Sequence, residues 1–180
     1  MKTNINLRKS IVTALCMALC VVVPMAFHSI PNAAKVFSPI FISVLLCGLL
    51  CGPVFGGICG VLGILLSSVL TGMPPAAMLP QMITEGLLYG AITGLAFELL
   101  KQVKTIPRLY ISLVIGMLIG KVLAGLASTL IFTPGKYTIK AWATSYFVVG
   151  LPGIIVQLIV VPVIAMAIIK SKVLQPSETK

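Results

Sequence analysis

The sequence predicts an all-α, polytopic membrane protein: a six-transmembrane-helix bundle with its N and C termini cytoplasmic. Three observations carry that prediction. Hydrophobic residues are 59% of the 180 and the mean hydropathy is +1.16, so apolar stretches repeatedly reach or approach the roughly 20 residues that span a bilayer core. Charged residues are only 9%, and the basic ones sit between the apolar stretches, where they act as topology signals. No soluble-looking region or long polar linker interrupts these runs, so residues 1–180 are expected to form a single integral membrane domain.

The first helix is drawn over about residues 8–27. Lys2, Arg8 and Lys9 before it give the charge pattern of a signal peptide. Pro24, Phe27 and His28 make a poor small-residue cleavage site, however, and more spans follow, so it is retained as a helix. The second and third, 38–52 and 54–72, are short and separated only by Gly52-Pro53. That junction is a tight turn, because proline fixes φ and penalises helix at the residue before it. The fourth, fifth and sixth helices cover about 79–100, 109–132 and 142–170.

Orientation follows from the loop cations. Placing both termini inside puts nine on the cytoplasmic side: Lys2, Arg8, Lys9, Lys101, Lys104, Arg108, Lys170, Lys172 and Lys180. Only Lys35, Lys136 and Lys140 lie outside, which supports N-in, C-in. The net charge of +10 therefore does not point to nucleic acid, because the cations are not gathered on a face rich in exposed aromatics.

Small residues recur every fourth position: Gly48, Gly52, Gly56 and Gly60; Gly86, Gly90 and Gly94; Gly116, Gly120, Ala124 and Ser128; and, on the first helix, Ala14 and Ala18. Such stripes let helices approach closely in lipid, where water does not drive them together. Cys16, Cys20, Cys47, Cys51 and Cys59 all fall within apolar runs, and an odd number of cysteines in lipid argues against a disulfide framework. Two pairs are four apart, a spacing that suits a soft metal, but one histidine and no nearby carboxylate make a metal site unfavoured.

No catalytic constellation emerges, and no cofactor is expected. Gly116-Met-Leu-Ile-Gly120-Lys121 has three residues between its glycines and Val122 after the lysine, whereas a phosphate loop needs four and a Ser or Thr. The chain should not hydrolyse nucleotide itself. Its acidic residues are Glu85, Glu98 and Glu178. Glu98 is expected to pair with Lys101 at the cytoplasmic interface, and Glu178 belongs to a polar tail. Glu85 lies about 9 Å below the outer boundary of its helix at ~1.5 Å per residue, while Lys121 is about 18 Å above the inner boundary of the fifth.

An ionisable side chain at that depth usually has a partner or a task. A lysine stem snorkels several ångströms, so Glu85 and Lys121 either neutralise each other or contact a polar ligand. The outer loops add His28 to Lys35, with Asn32; Thr71 to Pro75; and Pro134 to Trp142, with Lys136, Tyr137 and Lys140. Prolines stiffen these loops, and Asn32, Tyr137 and Trp142 offer polar and stacking contacts. Trp142 also suits an interfacial anchor, and His28 a loop position.

These features together resemble the substrate-binding S components of energy-coupling factor (ECF) transporters. The resemblance is carried by six short spans, Ala14-x-x-x-Ala18, the segment Phe37 to Pro53, Gly56-x-x-x-Gly60 through Leu66 to Pro75, and Glu85-Gly-Leu-Leu-Tyr89-Gly90. It covers nearly the whole chain and lies nearest the broad branch with riboflavin and pantothenate S components. It implies capture of a vitamin or related micronutrient near the outer face of a bacterial or archaeal cytoplasmic membrane. It also implies a transmembrane coupling subunit docked on Ala14 and Ala18, two cytoplasmic ATPase subunits that drive release, and toppling of the S component in the bilayer. The histidine cluster of the nickel and cobalt branch is missing. The substrate-binding residues expected on this basis are Asn32, Lys35, Glu85, Tyr89, Lys121, Lys136, Tyr137 and Trp142. The cations among them favour an anionic solute, pantothenate slightly ahead of vitamin B6 and riboflavin compounds. Two other classes compete: an autonomous secondary transporter using Glu85 as a proton site, which lacks a clear inverted repeat, and a membrane enzyme, which lacks clustered His, Asp or Glu.

Overall fold

A computed structural model describes residues 2–26, 38–128 and 150–170. Six α-helices, and no strands, are found among them: α1 Lys2–Ala26, α2 Ile40–Cys51, α3 Pro53–Thr71, α4 Leu79–Leu99, α5 Thr105–Ala127 and α6 Leu151–Lys170. Five are long and apolar enough to cross a membrane; the exception is α2, with 12 residues. At 1.5 Å per residue α2 is about 18 Å long, shorter than a ~30 Å hydrocarbon core.

The helix limits follow local chemistry. Gly52 ends α2 with φ +94°, a conformation that glycine adopts without a steric penalty, and Pro53 opens α3 where a missing N–H costs nothing. Gly72, φ +70°, closes α3 and donates its N–H to the Ser68 carbonyl at 2.9 Å. Beyond it, Ser67 Oγ donates to the Met73 carbonyl and Ser68 Oγ to the Pro74 carbonyl, both at 2.9 Å. Hydroxyls of α3 thereby satisfy turn carbonyls that lipid could not. The fifth helix begins at Thr105 and not at 109, because Pro107 falls in the first turn, where its absent N–H would have no partner. Arg108 N–H bonds the Lys104 carbonyl at 3.0 Å and closes that turn.

Helices α1, α3, α4, α5 and α6 pack in that order as an arc, and α2 touches all five. Eleven of the twelve α2 residues are therefore buried. The arc's outer surface is apolar, with Val54, Val69, Leu70 and Leu99 strongly exposed, as lipid-facing side chains require. Within α3 and α4 the glycine stripes meet directly: a Cβ on Gly94 would lie 2.6 Å from the Gly52 carbonyl carbon, and one on Gly90 would overlap the Gly56 carbonyl.

All five cysteines gather in one buried group where α1, α2 and α3 meet. Cys47 lies against Cys16, Cys51 and Cys59, and Cys59 against Cys20. The thiols are free. Several turn to polar atoms: Cys47 Sγ to Thr13 Oγ1 and Cys51 Sγ to the Lys9 carbonyl, both at 3.6 Å, and Cys20 Sγ to the Ile40 carbonyl at 3.8 Å. They serve as small, polarisable packing groups. Among the described residues no three His, Cys, Asp or Glu are arranged to hold a metal ion.

Candidate substrate site

The Cys20 contact shows where α2 starts relative to α1. Cys20 is six residues before Ala26, so α2 begins about 9 Å short of that end of α1. At the head of α2, Ser38 adopts φ +43°, and Gln157 Nε2 of α6 donates to its carbonyl at 3.3 Å. Phe41, in the first turn, meets Tyr89 of α4 with ring centroids 5.0 Å apart and planes inclined at 56°.

Two charged side chains converge beside this aromatic pair. Glu85 is six residues after Leu79, and Lys121 is six before Ala127, so in the antiparallel α4 and α5 both lie about 9 Å from the same end of the bundle. Because α5 starts at Thr105, Lys121 is about 24 Å from its first residue, and not the 18 Å expected from a start at 109. Lys121 Nζ lies 3.5 Å from Glu85 Oε1, with the residues 9% and 6% exposed. They are the only buried charged side chains among the described residues. Removing two charges from water is unfavourable, and mutual attraction with further hydrogen bonds is what offsets it.

Tyr89 stands beside the pair. It lies one turn after Glu85 on the same helical face. Lys121 Nζ is 6.0 Å from the centroid of its ring. The ring fits because Gly120 faces it: a Cβ there would be 2.5 Å from Tyr89 Cδ1.

Of the residues expected from sequence, Glu85, Tyr89 and Lys121 are thus brought together. Asn32, Lys35, Lys136, Tyr137 and Trp142 lie outside the described residues. Ala14 and Ala18 are both exposed on α1. Glu98 does not pair with Lys101. Its Oε1 lies beside Gly52, on the side of Lys9 Nζ and near Arg108, because the last turn of α4 packs on the α2–α3 corner. Sequence reasoning missed Phe41 and Gln157. Gln157 had a legible signal, as the single polar side chain between Leu151 and Ile169; Phe41 had none.

A family model described as "ECF transporter, substrate-specific component" matches residues 8–165. The chain belongs to that family. This S component is therefore a multi-pass membrane protein and a transport subunit, not an enzyme. Its family role is substrate recognition in vitamin or micronutrient uptake, alongside partner subunits. No curated protein and no solved structure gives a match.

Proposed function

We propose that this S component captures a vitamin or related micronutrient from outside the cell at the Glu85–Tyr89–Lys121 group, and hands it inward through an ATP-driven coupling module. The observation that carries this reading is the buried Glu85–Lys121 pair at the head of the shortened helix α2. A charged pair is costly in a membrane-embedded position, and intramembrane ionisable groups mark solute paths. The pair lies about 9 Å from one end of the bundle, the end near which α2 begins, and we take it as the outer end. Both termini are then cytoplasmic, α2 is a short sixth crossing, and residues 1–180 form one domain in a bacterial or archaeal cytoplasmic membrane.

The outer loops complete the site, with Asn32, Lys35, Lys136, Tyr137 and Trp142 around the solute. The loop cations Lys35, Lys136 and Lys140 make pantothenate the leading candidate, followed by vitamin B6 and riboflavin compounds. On the opposite side, Ala14 and Ala18 form the docking surface for the transmembrane coupling subunit, which carries two cytoplasmic ATPase subunits. The exposure of both alanines supports that role.

Mass spectrometry of small molecules released from the purified protein should identify a vitamin-like compound. Ala14→Trp is expected to abolish co-purification with the coupling subunit while solute binding persists. Uptake that continues with the ATPases inactivated, or uptake by this chain alone in proteoliposomes driven by a proton gradient, would replace this reading with autonomous secondary transport.

A further inference from the structure

Helix α6 carries one polar side chain between Leu151 and Ile169, that of Gln157. A primary amide is costly to place in an apolar helix unless it is bonded, and leucine or methionine would serve packing as well. Gln157 is 3% exposed and lies on the buried face of α6, between Gly153 and Val161. Its Nε2 donates to the Ser38 carbonyl at 3.3 Å. A carbonyl only accepts, so the NH2 group faces it, and not Oε1.

The turn that receives this bond lacks the usual cap. Pro39, at the N-cap position of α2, makes no side-chain hydrogen bond and has no N–H. Ser38 before it adopts φ +43°, a left-handed conformation that is unfavourable for a residue with a Cβ and persists where surrounding contacts hold it. The Ser38 carbonyl also accepts the Phe41 N–H at 3.1 Å, so Gln157 grips the atom that closes Phe41 into the first turn. Phe41 in turn sets its ring 5.0 Å from that of Tyr89, whose centroid is 6.0 Å from Lys121 Nζ. The other buried residues of α6, Gly153, Val161, Pro162 and Ala165, have no polar side chain. The Gln157 bond, and not apolar packing, therefore fixes how far α6 stands along α2.

Resting on the uptake reading above, we propose that Gln157 is a positioning residue for the solute site: it pins α6 to the head of α2 through the Ser38 carbonyl, and so holds the Phe41 ring against Tyr89 beside the Glu85–Lys121 pair. Gln157 acts through Phe41 and not by touching the solute. Without its amide, the first turn of α2 loses the tie to α6, and Phe41 shifts on the Tyr89 ring. The result is a loosened site in a folded protein.

The test uses the full-length protein labelled with 3-fluorotyrosine, with the Tyr89 signal identified by Tyr89→Phe, and pantothenate, riboflavin and pyridoxine as solute probes. The neighbouring Phe41 ring shifts the Tyr89 fluorine resonance, so that signal reports their contact with no solute present. Gln157→Met keeps an unbranched side chain and removes the donor. It is expected to move or broaden the Tyr89 signal and to weaken binding of the probe that the wild type binds by roughly 3- to 10-fold, the scale of one neutral hydrogen bond. Phe41→Leu should weaken binding too, and the double variant should lose less than the product of the two losses, because both act through one contact.

An unmoved Tyr89 signal in Gln157→Met overturns the proposal, as does a moved signal with unchanged affinity. A lower thermal midpoint with signal and affinity both unchanged would make Gln157 structural only. Losses that multiply in the double variant would show that Gln157 does not act through Phe41. Where Gln157→Met does not fold, Phe41→Leu decides, because unchanged affinity there removes the link on which the proposal depends. If no probe binds the wild type while Gln157→Met moves the Tyr89 signal, the anchor stands and the uptake reading loses its solutes; if a probe binds and the signal does not move, the anchor fails and the uptake reading stands.

Discussion

Helix α4 meets α3 and α5 through residues of similar spacing, yet the two interfaces are built differently. Against α3, glycine faces glycine: Gly90 and Gly94 lie on Gly56 and Gly52, and the two backbones touch. Against α5, the glycines are on one side only, and Gly116 and Gly120 receive Thr93 and Tyr89 of α4. The first arrangement leaves no room for a side chain. The second sets large and polar side chains into the seam and, one turn further, joins Glu85 to Lys121. A stripe of small residues is therefore a statement about distance only; what fills the distance depends on the partner helix.

The largest expected effect separates the charged seam from the dry one. Lys121→Met should lower stability by about 3–5 kcal/mol, because it leaves Glu85 buried without its partner. Adding Glu85→Gln should recover most of that loss in thermal unfolding of the detergent-solubilised protein. A double variant as unstable as the single one would show that the pair matters for its packing and not for its charge.

Next in size is Gly90→Ala. Its new methyl meets the Gly56 main chain, which has no rotamer to yield, so a loss of about 1–3 kcal/mol is expected. Gly120→Ala meets the edge of the buried Tyr89 ring, a side chain that can shift where a main chain cannot, and should cost about 1 kcal/mol, the low end for overpacking, while still weakening solute binding through Tyr89. Equal losses at the two positions would erase the distinction drawn between the interfaces.

The smallest effect concerns Thr93, whose Oγ1 is buried without a hydrogen-bond partner among the described residues. Thr93→Val removes an unsatisfied hydroxyl and keeps the shape, so stability should stay level or rise by up to about 1 kcal/mol. A clear loss would reveal a partner for that hydroxyl in the folded protein.

Helix identity was legible in the sequence where hydropathy alone decides it, and so was the corner at Gly52-Pro53, which local φ preferences dictate. The start of α5 was not, because Pro107 reads equally as a helix stop and as a first-turn residue. The sequence pairs Glu98 with Lys101 by proximity along the chain, whereas packing carries its carboxylate across to Gly52. Lys121 and Glu85 stood out because any charge in an apolar run does. Phe41, one apolar residue in a wholly apolar helix, did not.

By itself, the sequence determined that this chain spans a membrane, where close helix contacts are possible, and which ionisable groups require an explanation. These follow from transfer free energies and local backbone preferences, which act residue by residue. Only the tertiary structure decided that α2 is a short central helix ringed by the other five, that the five cysteines share one site, and that Glu85, Tyr89, Lys121 and Phe41 meet at its head. Those outcomes depend on which helix faces which. In lipid, that choice rests on shape and on pairing buried polar groups, neither of which a single helix carries alone.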